Sequence, residues 1–264
     1  MKIRKLFVAF AIVAGLSGCS DDGINFFTLE QDMKFGEQLD SAIIANPDEY
    51  PILDRDQYAD AYNHIERVME AILNSNDIRY SKTFNWQVKI IHNDDVINAF
   101  AAPGGYLYFY TGLIKFLDNE AQLAGVMAHE IAHADRRHST QILTRQYGFS
   151  MLLSIIMGDN PSQLEQILTQ LALGGTMLKY SRDNEYEADK FAVTYLCDTD
   201  YHPHELAAFF EKMLGSTQKI PEFLSTHPSD ENRLKNIVDV WKSLGSKVGD
   251  TYADRYQSFK NSLP

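Results

Sequence analysis

The sequence predicts a mainly α-helical α+β domain with a small β-sheet packed on one central helix. Three observations predict it. Apolar residues recur at helical spacing over most of the chain. Between residues 86 and 110 the pattern changes to short β-rich runs around a Pro103-Gly104-Gly105 turn. The composition, 45% hydrophobic and 23% charged over 264 residues, is that of a globular chain long enough to bury one sizeable core.

The elements follow in order. Lys2, Arg4 and Lys5 precede an apolar run, Leu6 to Leu16, too short to span a membrane comfortably. The run ends in Leu16-Ser17-Gly18-Cys19, which looks like a bacterial lipobox. Residues 1–18 therefore read as a lipoprotein signal peptide, and 19–28 as a tether lipidated at Cys19. Ser20, where an Asp would favour inner-membrane retention, favours an outer-membrane anchor facing the periplasm. Asp21-Asp22 keeps the cell surface open as an alternative.

Residues 29–246 read as the folded domain. Helical spacing covers 29–44 and 58–73, with Pro47 and Pro51 between them. Strands are expected at 86–91, 98–102 and 106–110. Thr111 is expected to cap a short helix to Leu117, and Asn119 a helix over 120–137. Further helices are expected at 140–157, 162–179, 183–197, 203–214 and 229–244, the first two parted by Gly158-Asp159-Asn160-Pro161. Those two would pack on the core or form a mobile hairpin over the site. Arg145 interrupts their apolar window, so no membrane span is expected there. Residues 247–264 read as a tail, with a loosely attached helix as one reading of its polar end.

Net charge is −12, which argues against nucleic-acid binding. The one basic cluster, Arg136-Arg137-His138, falls at a helix end, where cations suit the dipole. With Cys19 lipidated, Cys197 stands alone and no internal disulfide can form.

The chemistry sits in His129-Glu130-Ile131-Ala132-His133. Two histidines four apart on a helix share a face one turn apart, so both imidazoles reach one ion. Two neutral nitrogen donors suit one Zn²⁺ per chain, and Glu130 is placed as general base on a water. A third protein ligand is needed. Glu185 is the best candidate, because Asp189 lies four residues on and can accept the second N–H of a ligating histidine. Glu187 competes, though it has no carboxylate four residues later. The plain alternative is a solvated acidic face. His64, His92, His138, His202 and His204 have no ligand spacing to the motif and read as surface or core residues.

Four segments together carry a resemblance: Asn98-Ala-Phe-Ala-Ala-Pro-Gly-Gly, Thr111-Gly-Leu, His129-Glu-Ile-Ala-His and Glu185-Tyr-Glu-Ala-Asp189. About residues 60–240 resemble the HtpX/CAAX-prenyl-protease-like zinc endopeptidases, which are gluzincins, and most resemble their periplasmic lipoprotein branch. The resemblance implies a zincin-type metallopeptidase domain with Glu185 as third ligand and Asp189 behind a histidine. It implies that Asn98, Ala99, Phe100 and Ala101 form an edge strand that pairs with extended substrate. It places His227 and Arg233 late in the active site. His227 would donate to the oxyanion or bind zinc reversibly as a fourth ligand, and Arg233 would orient either group or form a surface ion pair. Tyr180 is a weaker oxyanion candidate.

The expected function is a cell-envelope zinc endopeptidase acting on unfolded or misassembled envelope proteins. The alternative is a latent or non-proteolytic envelope chaperone or assembly lipoprotein with a zinc site. Prenyl-peptide processing is not implied, since the spanning helices of the membrane-embedded branches are missing. Oligomeric state is not legible.

Overall fold

The computed structural model describes residues 25–156, 161–172, 179–215, 222–228 and 231–264. The signal peptide at 1–18, Cys19, most of the 19–28 tether and the break at 158–160 lie outside the described residues.

Helix α1 (Leu29–Ile44) opens on a reciprocal cap. The Thr28 hydroxyl accepts from the Gln31 amide, and the Gln31 side chain accepts from the Thr28 amide. Helix α2 (Ala59–Leu73) buries Ile65, Val68 and Ile72 on one stripe. The sheet then forms from β1 (Gln87–Ile91), β2 (Ala99–Ala102) and β3 (Tyr106–Tyr110). Its order is β1-β3-β2, with β1 parallel and β2 antiparallel to β3. Alternate residues face opposite sides, as the strand period requires. Val88, Ile90, Leu107 and Phe109 join the core around α2. Ile91, Phe100, Tyr106 and Tyr108 join a second cluster with Phe35, Leu39 and Ile43 of α1.

The hairpin turn needs its glycines. Gly104 has φ +78° and Gly105 φ +101°, a region that side chains rarely adopt. Helix α1 crosses close above: a Cβ on Gly36 would stand 1.8 Å from the Pro103 carbonyl oxygen. Burial of Phe35, Leu39 and Ile43 contributes about 1.5–3 kcal/mol each and holds α1 on the outer face.

Helix α3 (Thr111–Phe116) follows β3 directly. Thr111 is not its cap. The N-cap position is Tyr110, which makes no side-chain cap bond, and the Thr111 hydroxyl accepts instead from the Asn93 amide at 3.0 Å. Asn119 does cap α4 (Glu120–Asp135), accepting from the Gln122 amide at 2.9 Å. Every residue of α4 is buried. A helix surrounded on all sides suits its many alanines, and it packs chiefly against α7 (Arg182–Cys197), then α8 (Glu205–Gly215) and β2.

Helix α5 (His138–Ile156) kinks at Gly148, φ +71°. Helix α6 (Pro161–Ala172) falls within the helix expected at 162–179, of which 173–178 lie outside the described residues, and Lys179 and Tyr180 are not helical. Its Ile167 and Leu171 pack in the outer cluster beside α1, so this segment covers the sheet. The expected helix at 229–244 appears as α10 (Glu231–Ser243), preceded by a short α9 (Glu222–Thr226). Among the described residues no helix is long and apolar enough to cross a membrane.

The tail is not loose. Helix α11 (Ala253–Lys260) buries Tyr256 and Phe259. Its Arg255 Nε bonds the buried Glu120 at 2.8 Å. Glu120 also receives Arg67 at 2.9 Å and the Tyr201 hydroxyl at 2.6 Å, with His64 Nε2 at 2.9 Å. One carboxylate at the start of α4 thus ties together α2, α4 and α11.

Candidate active site

Helix α4 presents His129, Glu130 and His133, all fully buried. The four-residue spacing brings the two rings to 4.6 Å and their Nε2 atoms to 3.0 Å. Helix α7 brings Glu185 against them. Ser181 caps that helix, so Glu185 lies in its first turn. Glu185 Oε2 stands 3.5 Å from His129 Nε2, and Oε1 3.6 Å from His133 Nε2. His227 follows α9 and stacks on Phe223, with ring centroids 4.4 Å apart. Its Nδ1 is 3.1 Å from Glu185 Oε1 and 3.4 Å from His129 Nε2.

These four residues fit a zinc ion. One donor atom from each of His129, His133, Glu185 and His227 lies within 4.8 Å of all the others. Tetrahedral bonds of about 2.0–2.1 Å would set donors roughly 3.3 Å apart, close to the spacings seen. The imidazole and carboxylate set also suits zinc.

Behind the donors lie their supports. Asp189 Oδ1 is 3.0 Å from His129 Nδ1. Arg233 grips Asp189 through Nε at 2.8 Å and Nη2 at 2.7 Å, and its Nη1 reaches Glu185 Oε2 at 2.5 Å. Arg233 is therefore no surface ion pair. It is buried against the Phe210 ring and aligns two carboxylates. Burial would raise both of them, but His227 and the Arg233 guanidinium beside it hold Glu185 well below its ordinary range, and Arg233 lowers Asp189.

Glu130 differs. Burial pushes its carboxyl up to about 7. Neither oxygen makes a side-chain hydrogen bond among the described residues, and His227 Nε2 stands 3.5 Å from Oε1. The Ala101 amide lies nearby and pulls weakly against the burial effect. A buried carboxylate with free lone pairs beside a metal group is what a general base requires.

Strand β2 forms an edge of the sheet. The Tyr110 amide donates to the Asn98 carbonyl, and antiparallel pairing alternates from there. Phe100 and Ala102 thus turn their main chain to β3, while Ala99 and Ala101 turn theirs to the free edge. The Asn98 side chain accepts from the Ala99 amide at 2.9 Å. A pocket opens beside this strand, walled by Phe35, Leu39 and Ile43 of α1 and Leu171 of α6, with Tyr180 and His227 at one side.

Other residues take places that spacing did not reveal. The Tyr180 ring stacks on His133 at 3.7 Å, and its hydroxyl meets Ser139 at 3.0 Å. His138 is fully buried, its Nδ1 2.9 Å from His133 Nδ1. Glu187, the rival ligand, lies outside the donor group and reaches His138 Nε2 at 3.3 Å. The signal for His138 was weak: it sits five residues past His133, an offset that turns it about 140° away on a continuous helix. Arg137, at φ +60°, breaks that helix and returns the chain.

A helix carrying H-E-x-x-H, a glutamate from a following helix and a small sheet beside them define a zincin-type metallopeptidase domain, of the class of zinc metalloendopeptidases. Residues 59–240 match Peptidase family M48, and the chain belongs to that family. It is similar to the beta-barrel assembly-enhancing protease of Escherichia coli (strain K12), 35% identical over 183 residues, 65% of this chain and 38% of the relative. It is also similar to the mitochondrial metalloendopeptidase OMA1 of Arabidopsis thaliana, 31% identical over 158 residues, 59% of this chain and 32% of the relative. OMA1 of Schizosaccharomyces pombe (strain 972 / ATCC 24843) is 29% identical over 208 residues, 75% of this chain and 59% of the relative. The chain thus spans less than two thirds of these relatives' lengths. Helix α1 precedes the matched region.

Proposed function

We propose that this protein is a zinc-dependent endopeptidase of the bacterial cell envelope that hydrolyses peptide bonds in unfolded or misassembled proteins. The observation that carries the reading is Glu130, buried and with no side-chain hydrogen-bond partner among the described residues, beside four convergent metal donors. His129, His133 and Glu185 would hold the zinc. The ion supplies a Lewis acid that polarises the scissile carbonyl and makes a water more acidic. Glu130 takes the proton from that water and returns it to the leaving amine. Asp189 and Arg233 keep His129 and Glu185 in place.

The outward main chain at Ala101 and the outward carbonyl of Ala99, whose amide is held by Asn98, suit an extended substrate, paired by backbone hydrogen bonds with little side-chain preference. The neighbouring pocket, walled by apolar residues, suits the side chains that unfolded chains expose. The lipobox at Leu16 to Cys19 supports a lipid anchor. The name of the Escherichia coli relative, a beta-barrel assembly-enhancing protease, supports a role in the assembly of β-barrel proteins.

A second reading has its own observation. His227 stands within the donor group, so four protein donors can close the site. Closed zinc sites are structural or latent, whereas catalytic ones keep a position open. His227 either leaves that position when substrate enters and then donates to the oxyanion, or it holds the enzyme latent.

The test uses the full chain in detergent with casein as substrate. Cleavage abolished both by chelation and by Glu130→Gln, with zinc still bound in the variant, is the expected result. Turnover retained by Glu130→Gln sinks the mechanism. A zinc-loaded chain that cleaves only after His227→Ala establishes latency.

A further inference from the structure

An imidazole that binds a metal through Nε2 carries its proton on Nδ1, and that proton needs an acceptor. His129 has one in Asp189. Among the described residues no carboxylate reaches Nδ1 of His133. What meets it is another imidazole, Nδ1 of His138 at 2.9 Å. The two rings stand edge to face, 5.0 Å between centroids. His138 turns its other nitrogen, Nε2, to Glu187 Oε2 at 3.3 Å. Arg136 Nε lies 3.8 Å from the second oxygen of Glu187.

We propose that His138 and Glu187 form a positioning relay that holds the ring of His133 for the metal. A carboxylate only accepts, so the proton of His138 sits on Nε2 and is donated to Glu187. Nδ1 of His138 is then bare and accepts from His133 Nδ1–H. His133 Nε2 is left as a lone pair facing His129, Glu185 and His227. This arrangement satisfies both hydrogen bonds, His133 to His138 and His138 to Glu187, with one tautomer at each ring. The reverse tautomer of His138 would set two N–H groups head to head at 2.9 Å. His138 is not itself a metal donor, because it meets His133 on the nitrogen turned away from the donor group.

Each of the two metal histidines is thereby backed at its Nδ1. His129 leans on Asp189 and Arg233, and His133 on His138, Glu187 and Arg136. The backbone makes the second relay possible. Arg137 adopts φ +60° after α4 ends, and this turn brings the first residue of α5 back against the last turn of α4.

The relay rests on the reading of His129, His133 and Glu185 as metal holders, so the experiment separates the two. Zinc affinity of the full chain in detergent is measured by chelator competition, alongside the thermal midpoint of the metal-free protein. His138→Phe keeps ring volume and removes the acceptor; it should weaken zinc binding about 10–100-fold. His138→Asn places an amide oxygen near the lost nitrogen and should restore most of the affinity. Cobalt substitution gives a second readout, since a misaligned His133 changes the visible ligand-field spectrum. Wild-type affinity in folded His138→Phe overturns the relay, and so does a loss that His138→Asn leaves unrescued. Should His138→Phe not fold, Glu187→Leu decides: a several-fold loss supports the relay, and unchanged affinity overturns it. A wild-type chain that binds no zinc removes the metal reading itself.

Discussion

Replacing Arg233 by Met tests how the site tolerates its own charges. The guanidinium makes two hydrogen bonds to Asp189, at 2.8 and 2.7 Å, and one contact to Glu185 at 2.5 Å. All three side chains are almost fully buried, at 2%, 0% and 0% exposure. Met fills similar space but leaves the carboxylates facing each other without their cation. Breaking a buried ion pair by removing one partner costs about 3–5 kcal/mol. At about 2–4 °C per kcal/mol for a domain of this size, the metal-free midpoint should fall by roughly 6–20 °C. Bound zinc would neutralise Glu185, so the zinc-loaded protein should lose less. The assay is thermal unfolding of wild type and Arg233→Met, each with excess zinc and with chelator. Arg233→Lys should recover only part of the loss, because an ammonium cannot reproduce the forked contact. A metal-free midpoint within about 2 °C of wild type would refute the reasoning, since at that slope it allows no more than about 1 kcal/mol for the pair.

Two further predictions follow from charge. Glu130, pushed up to about 7 by burial, must be ionised to act as base. Activity should therefore fall as pH drops through that value, and zinc, being positive, can only move the limb lower. An acid limb in kcat/KM clearly above pH 7 would count against Glu130 as base. Glu120→Gln removes the carboxylate shared by His64, Arg67, Tyr201 and Arg255, and should cost about 1–3 kcal/mol, discounted because both arginines are 40% exposed. Burial would raise the Glu120 carboxyl, but these partners hold it far below its ordinary value. Its contribution is thus full above the unfolded carboxylate range and lost as pH falls toward the folded value. The stability gap between wild type and variant, read from denaturant midpoints, should therefore narrow in acid; a gap that widens would refute this.

Much of the site was legible because it is local. His129 and His133 lie one turn apart on a helix, and so do Glu185 and Asp189. The backbone period alone places each pair on a common face. The strands were legible from alternation and from the turn at Pro103 to Gly105. What failed was mostly at boundaries. Thr111 looked like a cap because its hydroxyl suits that role, but a more distant amide, that of Asn93, claims it. The C-terminal helix looked loose because its residues are polar, yet Tyr256, Phe259 and Arg255 carry its attachment.

The sequence by itself determined most of the helices, the three strands, the H-E-x-x-H motif and the common face of Glu185 and Asp189. Each of these is set within one or two turns of chain, where the covalent period leaves little choice. Only the tertiary structure decided which carboxylate faces the metal group and which faces His138. It chose among the roles the resemblance left open for His227 and Arg233, setting His227 within the donor group and Arg233 on Asp189 and Glu185, and it alone showed that Glu120 gathers three helices. These contacts join residues tens of positions apart, or cross a left-handed residue such as Arg137. There the helical period no longer propagates, and packing of whole elements sets which side chains meet.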